Sequence, residues 1–311
     1  MAWYFLRRLL AAVPVLIGLS IVAFLLIHFV PGDPVAQMLG GKTTPAHVEM
    51  VRHQLGLDAP LWRQYLRFIW GVVHLNLGYS ITLNLPVMHV LRNRGTATFW
   101  LLLYGVGVAV VISVPLAAWS AIKPDGWVDQ GVRFLTTTAF AMPSFWLALV
   151  LALIFGLQLH WLPVTGYTPT FPGLFVSLTL PAITLGMSLV AVVIRTLRST
   201  MIEVLSSEYI AAARARGLTE RRILLRYGLR NSLGAMVTVI AADIGYLIGG
   251  TAVVETVFQI PGLGSLLVQS ALQRDYTLVT ALAFIAGVAV VVISLVTDFI
   301  YALLDPRVKL G

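Results

Sequence analysis

The sequence predicts an all-α integral membrane protein with six transmembrane helices. Three observations carry that prediction. Hydrophobic residues make up 59% of the 311 positions and charged residues only 11%, with a mean hydropathy of +0.90, a balance suited to a polytopic membrane protein. Six apolar runs are each long enough to cross a bilayer. The net charge of +8 gathers in loops beside those runs, where basic residues set orientation; that distribution argues against a nucleic-acid partner. With no cysteine, disulfide frameworks and thiolate chemistry are excluded.

In chain order, Arg7 and Arg8 precede an apolar run from Leu9 to Val30. It is longer than the core of a signal peptide, and Pro31-Gly32-Asp33-Pro34 follows in place of a small-residue cleavage site, so residues 1–30 read as a cytoplasmic N-terminus and an uncleaved first span. His28 near its outer end needs no special role. Residues 31–95 are polar yet rich in aromatics (Trp62, Tyr65, Phe68, Trp70, Tyr79), which predicts short helices packed on the outer membrane surface. Gly40-Gly41-Lys42-Thr43 ends like a phosphate loop, but Ala36 stands where the motif requires glycine and no strand precedes it. His47 and His53 match no metal-ligand spacing.

Five further runs follow, Thr96–Ile122, Thr137–Leu159, Phe175–Ile194, Ala235–Phe258 and Val279–Leu304. They form a five-helix core over 96–304, closed by a tail at 305–311. Six spans put both termini on one side. If that side is the cytoplasm, the inner segments hold 14 of the 21 Lys and Arg. These run from Arg7 and Arg8 through Lys123, Arg133, Arg195, Arg198 and the six arginines between 214 and 230 to Arg307 and Lys309. The short outer loops carry only Arg274.

Two carboxylates fall inside spans. Asp243 lies about two turns into the fifth and Asp298 about two turns from the inner end of the sixth. A charge in lipid is costly, so each is expected to face the bundle interior or a partner. Asp243 reads either as pathway-lining or as structural; Asp298 reads as structural, with Arg195 or Arg198 as its expected partner. Gly245-x-x-x-Gly249 predicts a close helix contact. No set of residues suggests catalysis, since nucleophile, base and orienter do not occur together and the loop histidines lack partners. Two isolated Asp residues also fall short of the ionisable chain expected of a proton-coupled or ion-coupled transporter.

The most distinctive stretch is a basic island, Ser207 to Asn231, between the fourth and fifth runs. An Ala-rich helix is expected to end at Gly217 in a left-handed cap. Thr219 is placed to cap a second short helix, although Arg222 stands where a capping box wants Glu or Gln. Between Ala211 and Gly217 only Arg214 and Arg216 carry bulk. The stretch is either an ordinary topogenic loop or a surface built to be gripped from the cytoplasm.

Taken together, Arg7-Arg8-Leu9-Leu10, Phe29-Val30-Pro31-Gly32-Asp33-Pro34, Leu55-Gly56-Leu57-Asp58-Ala59-Pro60, Gln64-Tyr65, Pro143-Ser144-Phe145-Trp146 and Trp161-Leu162-Pro163 form an ordered series. It continues through Arg195-x-x-Arg198-Ser199, Glu255-Thr256-Val257-Phe258, Pro261-Gly262-Leu263-Gly264, Asp298-Phe299-Ile300-Tyr301 and Leu304-Asp305-Pro306-Arg307. In order and spacing the chain resembles the B-type permease subunit of bacterial dipeptide/oligopeptide ABC importers, nearly end to end. Tyr209 to Gly217 resembles the permease loop known for Glu-Ala-Ala and a downstream glycine, without the Glu. Further departures are Asn76 for a usual Asp, Ala235 for a Pro, and Ser294 for an Asn.

The resemblance implies a type I ABC importer permease fold in the bacterial cytoplasmic membrane. It implies a second homologous permease forming a heterodimer, two cytoplasmic ATPases and an extracytoplasmic substrate-binding protein. The chain itself would be non-catalytic and without a cofactor, with ATP and Mg bound by the partners. Glu208, Tyr209, Ala211, Ala212, Ala213, Arg214, Ala215, Arg216 and Gly217 would form the ATPase-coupling loop, within 195–234. Glu255 joins Asp243 and Asp298 as a candidate for a pathway or structural role. The implied cargo is a dipeptide or oligopeptide; nickel chelates, glutathione or another small solute are the alternatives within the class. A self-contained channel or secondary transporter is the alternative outside it.

Overall fold

The computed structural model describes residues 2–28, 44–55, 58–80 and 82–304. Phe29 to Pro34, Gly40 to Thr43, Gly56-Leu57 and the tail from Asp305 lie outside the described residues. In chain order the elements are α1 (Ala2–His28), α2 (Pro45–Leu55), α3 (Leu61–Val73), β1 (Tyr79–Ser80), β2 (Leu85–Pro86), α4 (Val87–Ile122), α5 (Trp127–Ala141) and α6 (Ser144–Leu151). There follow α7 (Gly173–Leu205), α8 (Glu208–Ala215), α9 (Glu220–Arg222), α10 (Arg230–Val257), α11 (Leu263–Leu272) and α12 (Tyr276–Leu304). Wide π turns, Ala152–Gln158 and Ile223–Leu229, extend α6 and join α9 to α10. Among the described residues, five helices are long and apolar enough to cross a membrane, or six spans if one bent pair counts as one.

The chain forms two compact units. The first draws on residues up to Thr98 and on Pro261–Val292. Here α3 places Tyr65 and Phe68 inward. Tyr65 meets Ser20 of α1 at 2.8 Å and stands edge-on to Phe24, while Phe68 meets Phe284 of α12. Trp62, Leu66 and Trp70 recur every four residues and remain exposed, an apolar stripe of the kind that lies against a membrane surface. The expected short helices are therefore present.

The antiparallel pair β1–β2 is tied down by Asp275, which is buried. Its carboxylate accepts from Ser80 Oγ at 2.6 Å and from the Thr82 amide, and it caps α12 by accepting the Leu278 amide at 3.1 Å. Val87, Leu91, Leu266, Leu278 and Leu282 pack into one apolar cluster beneath. Helix α4 begins at Val87, not at Thr96 where hydropathy predicts its start. Arg92 and Arg94 interrupt the apolar run without interrupting the helix.

The second unit draws on Phe99–Ile260 and on residues from Ile293. Helix α7 is its centre, with Leu178, Leu185, Leu189, Val193 and Leu197 all buried. It lies tightly against α4 at Gly186, where a Cβ would stand 2.6 Å from the Gly105 carbonyl oxygen, so only glycine fits. That is the intimate small-residue contact. Gly249 of the Gly245-x-x-x-Gly249 pattern instead has open space where a Cβ would point.

One span of this unit is bent, and one expectation is corrected. The third apolar run is not a straight span, because α5 and the helix from Ser144 to Gln158 meet at 103°. Pro143 cannot donate to the preceding turn and forces Met142 into an extended conformation (φ −79°, ψ 125°). The second helix of the basic island is also not a separate short element. From Glu220 it runs through the π turn into the fifth span, continuous to Val257.

Candidate functional site

The Ala-rich helix α8 ends as its sequence predicts. Gly217 has φ +79°, the Gly217 amide donates to the Arg214 carbonyl at 2.9 Å, and the Leu218 amide donates to the Ala213 carbonyl at 3.3 Å. These two bonds are the paired closure of a Schellman cap. Ile210 and Ala213 are buried and fix the helix to its unit. Glu208, Tyr209, Ala211, Ala212, Ala215, Arg216 and Gly217 are exposed. The outward face is thus low and smooth, with Tyr209 as its one large ring.

Arg214 is the brace. Its Nε donates to Glu220 Oε1 at 2.8 Å and its Nη2 to Oε2 at 3.3 Å, across the turn that Gly217 makes. That carboxylate raises the Arg214 pKa above its ordinary value, so the brace stays charged. Thr219 has the extended backbone of an N-cap (φ −68°, ψ 144°) but its side chain makes no capping bond. Behind the helix lies a cavity of about 630 Å³ between Ile122, Ile202, Leu205, Arg214, Glu220 and Leu224.

The base of this region is held by an ion pair that the sequence reading missed. Asp129 of α5 is fully buried and receives Arg198 Nη2 at 2.6 Å, Arg198 Nε, Ser120 Oγ and the Asp125 amide. Arg198 therefore has its carboxylate in Asp129, so the expected choice between Arg195 and Arg198 for Asp298 is overturned as far as Arg198 is concerned. Asp298 itself is half-buried. Only one signal could have exposed the true pair: Asp129 sits two positions past Trp127, in the first turn of a helix whose one other charge is Arg133.

A second cavity, of about 430 Å³, lies where α5 breaks into α6. Its wall includes Met142, Pro143 and Ser144 from the break, Thr184 and Ser188 from α7, and Asp243 and Tyr246 from α10. Asp243 is half-buried and on a cavity wall. Glu255 differs, being fully buried near the end of α10, where its carbonyl accepts the Ile260 amide at 2.8 Å. The structure thus brings the predicted residues of α8 other than the buried Ala213 together on one surface, puts Asp243 on a cavity and buries Glu255.

The family model described as "Binding-protein-dependent transport system inner membrane component" matches residues 113–310, and the model for that family's N-terminal part matches residues 1–101. The chain is 36% identical over 306 residues to the glutathione transport system permease protein GsiC of Pectobacterium atrosepticum, covering 98% of each chain. It is 37% identical over 316 residues to the oligopeptide transport system permease protein AppB of Bacillus subtilis, covering 99% of this chain and 100% of that one. Among solved structures it is similar in fold to a chain of the MetNI methionine ABC transporter in an inward-facing conformation. The TM-score there is 0.60 at 17% identity, over 70% of this chain and 97% of the other. The chain belongs to the family of binding-protein-dependent transport system inner membrane components, the permease subunits of bacterial ABC transporters.

Proposed function

We propose that this chain is one of two homologous membrane subunits of an ATP-driven importer for dipeptides or oligopeptides. The observation that carries the reading is α8: a small-residue surface, buried on one side by Ile210 and Ala213, ended by a left-handed glycine and braced by Arg214 on Glu220. A merely topogenic loop needs only its charges. A rigid, low-relief helix of fixed exit direction suits docking onto a partner that pushes.

In this reading both termini are cytoplasmic, residues 31–95 face outward, and two ATPases dock on the paired Glu208–Gly217 loops. The partner is a second, non-identical permease, and a separate extracytoplasmic protein delivers the cargo. ATP and Mg stay with the ATPases, and the chain has no cofactor of its own. Closure of the ATPases moves α8, and through α9 and the π turn that motion passes directly into α10, because the helix is continuous. Relatives named for oligopeptides and for glutathione, itself a small peptide, support the cargo class.

The test is reconstitution in proteoliposomes with the partner permease, both ATPases and the binding protein. Uptake of labelled peptide that requires ATP and the binding protein is the expected result. Uptake by this chain alone, without ATPases, would instead make it a channel or secondary transporter.

A further inference from the structure

We infer that the cavity at the α5–α6 break is a transport-pathway site for the protonated primary ammonium group of the cargo, received by Asp243. The inference rests on the peptide-import reading and deepens it. Asp243 lies on the cavity wall, eight residues past Ala235, where the apolar run begins, and thus about 12 Å along the span. Among the described residues no side chain hydrogen-bonds or ion-pairs with it. A carboxylate at that depth is costly to leave uncompensated, so a mobile cation that visits the cavity is its natural partner.

Two hydroxyls of the wall, both on α7, are also committed in one direction. Thr184 Oγ1 donates to the Leu180 carbonyl at 2.9 Å, and Ser188 Oγ donates to the Leu185 carbonyl at 2.7 Å. Their protons are spent on the α7 backbone, and what remains for a ligand is oxygen lone pairs. The wall therefore offers the Asp243 carboxylate and the Thr184 and Ser188 oxygens as acceptors, which suits a group with three N–H donors and a positive charge. Tyr246 contributes a ring that a cation can approach. Met142 and Pro143 make the rest of the wall apolar, which fits an organic substituent behind the ammonium better than a hydrated metal ion.

Because the chain has no cysteine, Met187→Cys, on the same wall, provides a local probe in the fully assembled importer. It is modified with an ammonium-bearing or a sulfonate-bearing methanethiosulfonate, each rate normalised to that with a free thiol. With Asp243 present the cationic reagent is expected to lead by about tenfold, the scale of one charged hydrogen bond. In the Asp243→Asn background the two normalised rates become equal. A ratio that is the same in both backgrounds overturns the inference.

A second arm uses uptake of one peptide with a free or an N-acetylated amino terminus. Each is expressed as the Asp243→Asn rate over the wild-type rate, so that the selectivity of the binding protein cancels. A larger loss for the free amine supports the site, and an equal loss overturns it. If the wild-type importer carries neither peptide, the peptide reading fails, while the labelling ratio still decides what the cavity prefers.

Discussion

Arg198 of α7 grips both carboxylate oxygens of Asp129 of α5, Nη2 donating to Oδ2 at 2.6 Å and Nε to Oδ1, across 69 positions of sequence. Ser120 of α4 donates to the same carboxylate, so three helices share one charged joint. The Asp129 side chain is fully buried and that of Arg198 is only 19% exposed. Water therefore cannot replace either partner.

The joint predicts a stability effect larger than that of a surface pair. Asp129→Ala leaves a mostly buried guanidinium without its anion, a change that costs on the order of 3 kcal/mol. The purified protein is expected to lose several degrees in its thermal denaturation midpoint. Asp129→Leu combined with Arg198→Met is expected to recover much of that loss, since two apolar groups need no compensation. A wild-type midpoint in Asp129→Ala would show that the joint is dispensable.

That joint also marks where the sequence stopped being readable. Hydropathy located the spans because lipid burial demands long apolar runs, and Gly217 declared its own conformation because few residues other than glycine accept it. Hydropathy is blind to direction, however, so the 103° break at Pro143 reads as one run. It is equally blind to helix that continues through charge, which hid the start of α4 before Arg92 and the fusion of α9 with α10. Asp129 and Asp275 were passed over because each finds its main partners far away in the chain, and neither spacing nor composition records such a meeting.

Orientation can be tested with single cysteines, since the native chain has none. Met50 and Thr168 are exposed and lie in segments read as outer; Lys123 and Thr219 are exposed and lie in segments read as inner. Cysteine at 50 or 168 is expected to react with an impermeant maleimide in intact cells, and at 123 or 219 only after lysis. Asp125 is a poorer probe because it pairs with Arg133 at 2.8 Å and has φ +62°. The opposite labelling pattern would reverse the orientation and the proposed role of α8.

Asp275 predicts a separable defect. Asp275→Ala removes the cap on Leu278 and the acceptor for Ser80, an N-cap loss of about 1 kcal/mol with a further cost for the stranded hydroxyl. Asp275→Asn keeps an acceptor oxygen and is expected to retain most of the stability. Protease sensitivity between residues 74 and 86 is the readout, because the β1–β2 pair is what the carboxylate ties down. Equal behaviour of the two variants would place the stabilisation in the apolar cluster around Val87 instead.

Gly217 tests the coupling proposal most directly. Its φ of +79° is a conformation that costs a residue with a Cβ about 1 kcal/mol or more, with Asn the best tolerated. A Cβ there would meet nothing within 4 Å, so the penalty falls on the backbone turn and not on packing. Gly217→Val is therefore expected to leave the chain inserted and the binding protein loading its cargo normally. The turn that sets α8 against Glu220 relaxes, and ATP-dependent uptake falls several-fold. Gly217→Asn, which tolerates the left-handed region, is expected to keep most of the uptake. Gly173 is unsuitable as a control because a Cβ there would stand 2.6 Å from Thr168 Cγ2; Gly18→Val, with open space around it, serves better. Wild-type uptake in Gly217→Val would reduce the stretch to a topogenic loop. Equal losses in the Val and Asn variants would mean that the partner reads the absence of a side chain, not the direction of the turn.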